Sequence, residues 1–90
     1  MKYYRTSVEI IAEILKIANG GNVTRTKIMY SAFLNYFQLK EYLPMLTERD
    51  LLSYNADTRT FKTTEKGLML LETYNLLVDL MLKKKEKILE

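Results

Sequence analysis

Two helix-start signals stand eleven residues apart between Thr24 and Leu46, and they constrain the fold more than any other feature of the chain. Thr24 offers a hydroxyl to cap a helix over Arg25, Thr26, Lys27, Ile28, Met29, Tyr30 and Ser31, with Ile28 and Met29 as its apolar contacts. Ala32-Phe33-Leu34 then breaks the polar rhythm. Asn35 follows, with Gln38 three residues on, a capping-box pattern that starts a second helix at Tyr36. From there Leu39, Tyr42, Leu43 and Leu46 fall at i, i+3, i+4 and i+7, which predicts one buried face. Tyr36, Phe37, Gln38, Lys40 and Glu41 take the remaining surface and carry amide, hydroxyl, ammonium and aromatic groups.

Two helices joined by a turn of a few residues make a helix-turn-helix, whose second helix enters a DNA major groove. Amides and hydroxyls suit base edges and ammonium groups suit phosphates. The outer face of the second helix is therefore the candidate reading surface.

Ninety residues make one domain, and a domain this size buries only about 60% of the surface of its unfolded chain. There is no cysteine and no metal-ligand cluster, so added stability must come from packing or from a second subunit. The start Met1-Lys2-Tyr3-Tyr4-Arg5 lacks a signal-peptide apolar run, and Leu68 to Leu82 is interrupted by Glu72, Asn75 and Asp79. The expectation is a cytoplasmic protein with no membrane span. A net charge of +3 is only mildly basic, so any nucleic-acid binding rests on where the charges lie.

Thr6 with Glu9 forms a further capping box, and Val8, Ile11, Ile14, Leu15 and Ala18, widened by Ile10 and Ile17, predict a buttressing first helix. It ends at Asn19, before Gly20-Gly21. Lys2 and Arg5 ahead of it either reach a phosphate backbone or stand as solvated charges. Val23 sits where a very short strand fits. Pro44 is expected to kink the third helix or end it early, because proline removes a donor and clashes with the carbonyl four residues back. Leu51-Leu52-Ser53-Tyr54-Asn55 and Thr60-Phe61-Lys62-Thr63 are β-prone runs around the turn Ala56-Asp57-Thr58-Arg59. They read as a hairpin, with Arg59 at its tip and Lys62 on its strand either meeting DNA or simply solvated.

Thr63 or Thr64 caps the last helix, and Glu65 suits its first turn. With Gly67 its one breaker, it runs toward the C-terminus for roughly 26 residues, about 39 Å. That rod outgrows so small a body and must project or pair. Leu70, Tyr74, Leu77, Met81, Lys84 and Ile88 alternate spacings of four and three like a coiled-coil seam. Leu76, Val78, Leu80 and Leu82 lie off it. Glu65, Glu72 and Asp79 precede Lys83, Lys84, Lys85 and Lys87 along the helix, so an antiparallel homodimer would set acids against lysines, Glu72 with Lys83 among them. The lysine run itself reads either as a solvated helix end or as a phosphate-contacting tail.

The chain resembles the small archaeal winged helix-turn-helix DNA-binding proteins that dimerise through an antiparallel coiled coil of C-terminal helices. The likeness rests on Glu9-Ile10-Ile11, Ile14-Leu15, Gly20-Gly21, Thr26-Lys27-Ile28-Met29-Tyr30, Tyr36, Gln38, Tyr42-Leu43 and Met45-Leu46. It continues through Thr64-Glu65-Lys66-Gly67 and Leu70-Leu71-Glu72, nearly the whole chain. The resemblance implies a mainly α fold with a small β-hairpin (α+β), a winged helix-turn-helix over residues 1–66, and a dimerisation helix over 67–90. It also implies a homodimer, regulatory or sequence-tolerant DNA binding, and no catalysis. Pro44 and the low net charge depart from the family pattern.

With no histidine, no cysteine, no glycine-rich phosphate loop and no paired carboxylates, neither an enzyme nor a cofactor is expected. No small-molecule ligand suggests itself. The leading expectation is a transcription regulator or chromatin-associated protein on double-stranded DNA. Tyr36, Gln38 and Lys40 of the Asn35-capped helix would meet base edges, Arg25, Lys27, Arg59 and Lys62 would anchor phosphates, and Thr26 and Asn35 count with them among the expected DNA-binding residues. Leu70, Tyr74, Leu77, Met81 and Ile88 would join the dimer. Tyr36 has the alternative of packing under the turn, and Phe37 of meeting thymine methyls or a protein partner. The alternative function is a winged-helix protein-interaction module that docks through Tyr36, Phe37 and the last helix, a reading Glu41 favours.

Overall fold

The computed structural model describes residues 5–89, with side chains described through residue 82. The elements run α1 (Ser7–Ala18), β1 (Val23–Thr24), α2 (Arg25–Ser31), α3 (Tyr36–Glu48), β2 (Leu52–Asn55), β3 (Thr60–Thr63) and α4 (Glu65–Leu89).

The helices start where short-range caps place them. Thr6 and Glu9 close their box at 3.1 and 2.8 Å, the Thr24 hydroxyl accepts from the Lys27 amide at 3.1 Å, and the Thr64 hydroxyl accepts from the Gly67 amide at 3.0 Å. Each cap satisfies amides that the first turn of a helix leaves without partners. After α1 the backbone is left-handed at Gly20 (φ 104°), Gly21 (95°) and Asn22 (57°), a run that favours glycine and asparagine. That turn frees the carbonyls ending α1 for other donors. Gly21 N–H reaches Ala18 O at 3.1 Å, and the Thr63 hydroxyl donates to Leu15 O at 2.7 Å, tying β3 to α1 across 48 residues.

The sheet is antiparallel, in the order β1-β3-β2. Val23 pairs with Phe61, and Leu52, Ser53, Tyr54 and Asn55 pair with Thr63, Lys62, Phe61 and Thr60. The two-residue β1 thus completes a sheet of three strands around the expected hairpin. Because side chains alternate along a strand, Phe61 and Thr63 face the helices while Lys62 faces away.

Ile10, Ile14 and Leu15 of α1, Ile28 of α2, Leu39, Leu43 and Leu46 of α3, Leu52, Phe61 and Leu71 form one core. Burying each such side chain contributes about 1.5–3 kcal/mol. Leu39, Tyr42, Leu43 and Leu46 are all buried, as their spacing predicts. Val8 is not: it is 54% exposed, because the buried stripe of α1 centres on Ile10, Ile14 and Ala18. The expectation that α3 ends early at Pro44 also needs correction. α3 neither stops nor shortens there but continues to Glu48. Pro44 and Lys40, whose carbonyl loses its amide donor, are both exposed residues, so the missing bond falls on the solvent side, where it costs least. No helix among the described residues is long and apolar enough to cross a membrane.

Candidate nucleic-acid interface

The outer face of α3 is held by its own first turn. Asn35 Oδ1 accepts from the Gln38 amide at 2.8 Å, and Gln38 Oε1 accepts from the Asn35 amide at 3.0 Å. The outward groups lie in that turn and the next. Tyr36 and Phe37 are 57% and 81% exposed, and Lys40 Nζ stands 5.3 Å from the centroid of the Tyr36 ring. Tyr36 therefore does not pack under the turn. Lys40 and Glu41 are exposed beside it, so the apolar back and polar front of α3 are both in place.

The capping box changes what Gln38 can do. Reading adenine with an amide takes both its oxygen and its nitrogen. The Gln38 oxygen is committed to the Asn35 amide, so Gln38 can offer a base only its NH₂ group unless the helix start is undone. Asn35 likewise spends its oxygen on the cap. These two expected reading residues act first as the hinge pin of the reading helix.

Between α3 and the hairpin runs an open groove of about 500 Å³. Leu39, Leu43 and Pro44 form one wall, Tyr54 and Phe61 the other, and Arg25, Lys40 and Glu48 stand at its edges. The Tyr54 and Phe61 rings, cross-strand partners, lie with centroids 4.8 Å apart. The groove brings Arg25 of α2 and Lys40 of α3 to one opening, two cations against one carboxylate. Thr26 and Lys27 are exposed on α2 next to Arg25.

The hairpin divides its two expected contacts. Asn55 Oδ1 accepts from the amides of Asp57 and Thr58 at 2.9 and 3.3 Å, and the loop leaves through Arg59 in a left-handed conformation (φ 56°). Arg59 is exposed at the tip, as expected. Lys62 is exposed too, but on the sheet face turned away from α3, where its alkyl chain lies beside Gly21. It does not converge with Lys40.

Two features of the site had no assigned role in the sequence, and Arg5 takes one different from those expected of it. The turn between α2 and α3 is closed by Leu34 N–H to Met29 O at 2.9 Å and Phe33 N–H to Tyr30 O at 3.3 Å, with Phe33 left-handed at φ 55°. This pattern usually places glycine where Phe33 stands. Arg5 stays partly exposed, and its guanidinium turns back onto the chain to donate to Phe33 O at 3.0 Å and brace that turn. Lys66 Nζ donates to Arg49 O at 3.0 Å, binding the start of α4 to the end of α3. Phe33 in place of glycine was the one signal visible in advance; the other two contacts join residues far apart in the chain.

Along α4, Leu70 and Tyr74 are partly buried and pack on their own core, Leu77 and Met81 are exposed, and the Ile88 side chain lies outside the described residues, as do those of Lys83, Lys84, Lys85 and Lys87. Lys2 lies outside them as well. Met69, Leu76, Leu77, Leu80, Met81 and Leu82 are each more than half exposed. Among the described residues no group of three or more acidic, histidine or cysteine side chains is placed to hold a metal ion.

A winged helix-turn-helix family profile matches residues 4–82. An uncharacterized protein of Methanocaldococcus jannaschii is 31% identical over 80 residues, which cover 89% of this chain and 80% of that relative. The crystal structure of Sso10a-2, a DNA-binding protein from Sulfolobus solfataricus, superposes with a TM-score of 0.71 at 27% identity, covering 93% of each chain.

Proposed function

The chain belongs to the winged helix-turn-helix family, and from that premise we propose that it binds double-stranded DNA as a homodimer, in a regulatory or architectural role. The observation that carries the reading is the division of α3: Leu39, Tyr42, Leu43 and Leu46 are buried while Tyr36, Phe37, Lys40 and Glu41 stand outward on a capped, rigid start. A helix so divided presents its polar side to a major groove. The similarity, over 93% of this chain, to the DNA-binding protein Sso10a-2 supports the same reading.

In this proposal Tyr36 and Lys40 meet base edges, with Gln38 and Asn35 offering only their NH₂ groups. Arg25, Thr26 and Lys27 line one phosphate strand, and Arg59 at the hairpin tip reaches the neighbouring backbone. Lys62 contributes only if the duplex bends around the outer face of the sheet. Residues 1–66 form the binding unit and residues 67–90 the dimerisation helix. Taken at 100° per residue, Met69, Thr73, Leu76 and Leu80 fall within about 60° of one another, opposite Gly67 and Leu71, which face the core. This strip, with Leu77 at its edge, is the proposed seam; Leu70, Tyr74 and Met81 run along the flank between it and the core side.

A binding titration across salt concentrations tests the reading. Affinity for a duplex should fall steeply with salt, and Lys40→Gln or Arg25→Gln should each reduce the log–log slope by about one. Absence of duplex binding at low salt would leave the interaction module, docking through Tyr36 and Phe37, as the better account.

A further inference from the structure

Folding does not explain Phe33. It occupies a left-handed position at φ 55°, where an L-residue costs about 1–2 kcal/mol over glycine, and its ring is 85% exposed, so burial returns almost nothing. Arg5 adds a charged hydrogen bond that holds this backbone in place. Three more aromatics share the short stretch around the turn. Tyr30 is 70% exposed, Tyr36 57% and Phe37 81%. The Tyr36 and Phe37 rings meet edge to face, centroids 6.1 Å apart and planes at 66°, which leaves ring faces open. Tyr30 and Phe33 have no aromatic partner among the described residues.

Cations accompany these rings at helical spacing. Lys27 lies three residues before Tyr30 on the exposed side of α2; Lys40 lies three after Phe37 and four after Tyr36 on α3, close enough to cover one face of the Tyr36 ring. Flat apolar faces with ammonium groups one turn away suit a ligand that alternates planar bases with phosphates. A duplex offers only base edges in its grooves, because its base faces are stacked on one another. Open ring faces can be used only by bases already out of the stack.

We propose that the α2–α3 turn is a second nucleic-acid site, sharing Tyr36, Lys27 and Lys40 with the duplex face, in which Phe33, Phe37, Tyr36 and Tyr30 stack with the unpaired bases of a single strand while Lys27 and Lys40 hold its phosphates. This goes beyond the duplex reading, since it engages ring faces rather than the groove-facing polar atoms of α3. An aromatic stacking platform of this kind tolerates any base sequence.

The experiment titrates the full chain against a labelled oligothymidylate of about 12 nucleotides, and separately against a duplex of that length, by fluorescence anisotropy. Phe33→Gly suits the backbone of the turn, so the variant should melt no lower than the parent, yet lose about fivefold to a hundredfold in single-strand affinity. Its duplex affinity should stay within about twofold, since no polar or charged contact is removed. Phe37→Leu keeps apolar bulk but removes the π-face, and should lose single-strand affinity about as much as Phe37→Ala. The proposal is overturned if the oligothymidylate does not bind, if Phe33→Gly binds it like the parent, or if Phe37→Leu retains full affinity while Phe37→Ala loses it. Duplex binding is read independently, so either site can fail without the other.

Discussion

Replacing Gly67 by alanine sets two well-understood effects against each other. In a helix interior alanine is favoured over glycine by about 1 kcal/mol, so Gly67→Ala in the first turns of α4 should stabilise the protein if the helix were all that mattered. Packing opposes this. A Cβ at Gly67 would stand 2.8 Å from Thr63 Cγ2 and closer still to the carbonyl oxygen of Leu51, inside the 3.0 Å that real Cβ atoms essentially never cross. Leu51 cannot readily retreat: its amide donates to Leu46 O at 2.9 Å, and its carbonyl accepts from the Thr64 amide at 3.1 Å. The obstacle is backbone held at both ends, so the cost should lie toward the upper part of the roughly 1–3 kcal/mol usual for overpacking. Against about 1 kcal/mol of helix propensity, the net loss is about 2 kcal/mol, a fall in Tm of roughly 8–16 °C for a domain of this size. Urea and thermal unfolding followed by circular dichroism would measure it, at one protomer concentration because a dimer's stability depends on concentration. Asn75→Ala, exposed on the same helix, serves as the control and should gain a few tenths of a kcal/mol. If Gly67→Ala is as stable as the parent or more so, the close approach of α4 to Leu51 is wrong.

Arg5→Ala should cost about 0.5–1.5 kcal/mol in urea unfolding, since it removes the guanidinium from Phe33 O at an exposed site, and should speed hydrogen exchange around the α2–α3 turn. Asn35→Ala removes a capping box and should cost about 1 kcal/mol, whereas Gln38→Glu retains an oxygen for the Asn35 amide and should unfold within about 0.5 kcal/mol of the parent. Equal losses from the two changes would place the Gln38 oxygen elsewhere. Thr63→Val removes a buried hydroxyl from Leu15 O and should cost about 1–3 kcal/mol. Leu80→Glu puts a charge in the proposed seam of α4 and should shift sedimentation toward the monomer while leaving the melting of the isolated fold recognisable.

What could be read in advance was decided within a few residues. Thr6 with Glu9, Thr24, and Asn35 with Gln38 each act across three positions, and each starts its helix where the residue pattern places it. The hairpin is similarly local, with Asn55 gathering two loop amides before the chain returns. What could not be read was decided by parts of the chain that meet only after folding. Arg5 finds Phe33 across 28 residues, and Thr63 finds Leu15 across 48. Lys62 illustrates the limit well. A basic residue in a β-prone run is visible, but its side of the sheet follows from Phe61 and Thr63 facing the core on either side of it. Gln38 illustrates another: the same residue supports a cap and a base contact on paper, and only geometry shows the cap taking its oxygen first.

The last helix carries that argument furthest, because its apolar residues serve two partners. Gly67 and Leu71 face the body of the chain, with Leu70 and Tyr74 leaning on the same core, and the opposite side carries Met69, Leu76 and Leu80 in the open. A helix apolar on several sides yields several four-three spacings at once, so spacing alone cannot choose the seam, and the series through Leu70, Tyr74, Leu77 and Met81 runs along one flank between the core side and the open side. Burial separates them: a residue already pressed on its own core has little surface left to offer a second copy. The same close fit ties the ends together. Lys66 on Arg49 O and Thr64 on Asp50 O, at 3.0 and 2.6 Å, fix the start of α4 to the end of α3. In a dimer joined along α4, the spacing and tilt of the two reading helices would therefore be set by the geometry at Gly67 and Leu51. A change there should alter duplex affinity through half-site spacing even though no residue involved touches DNA.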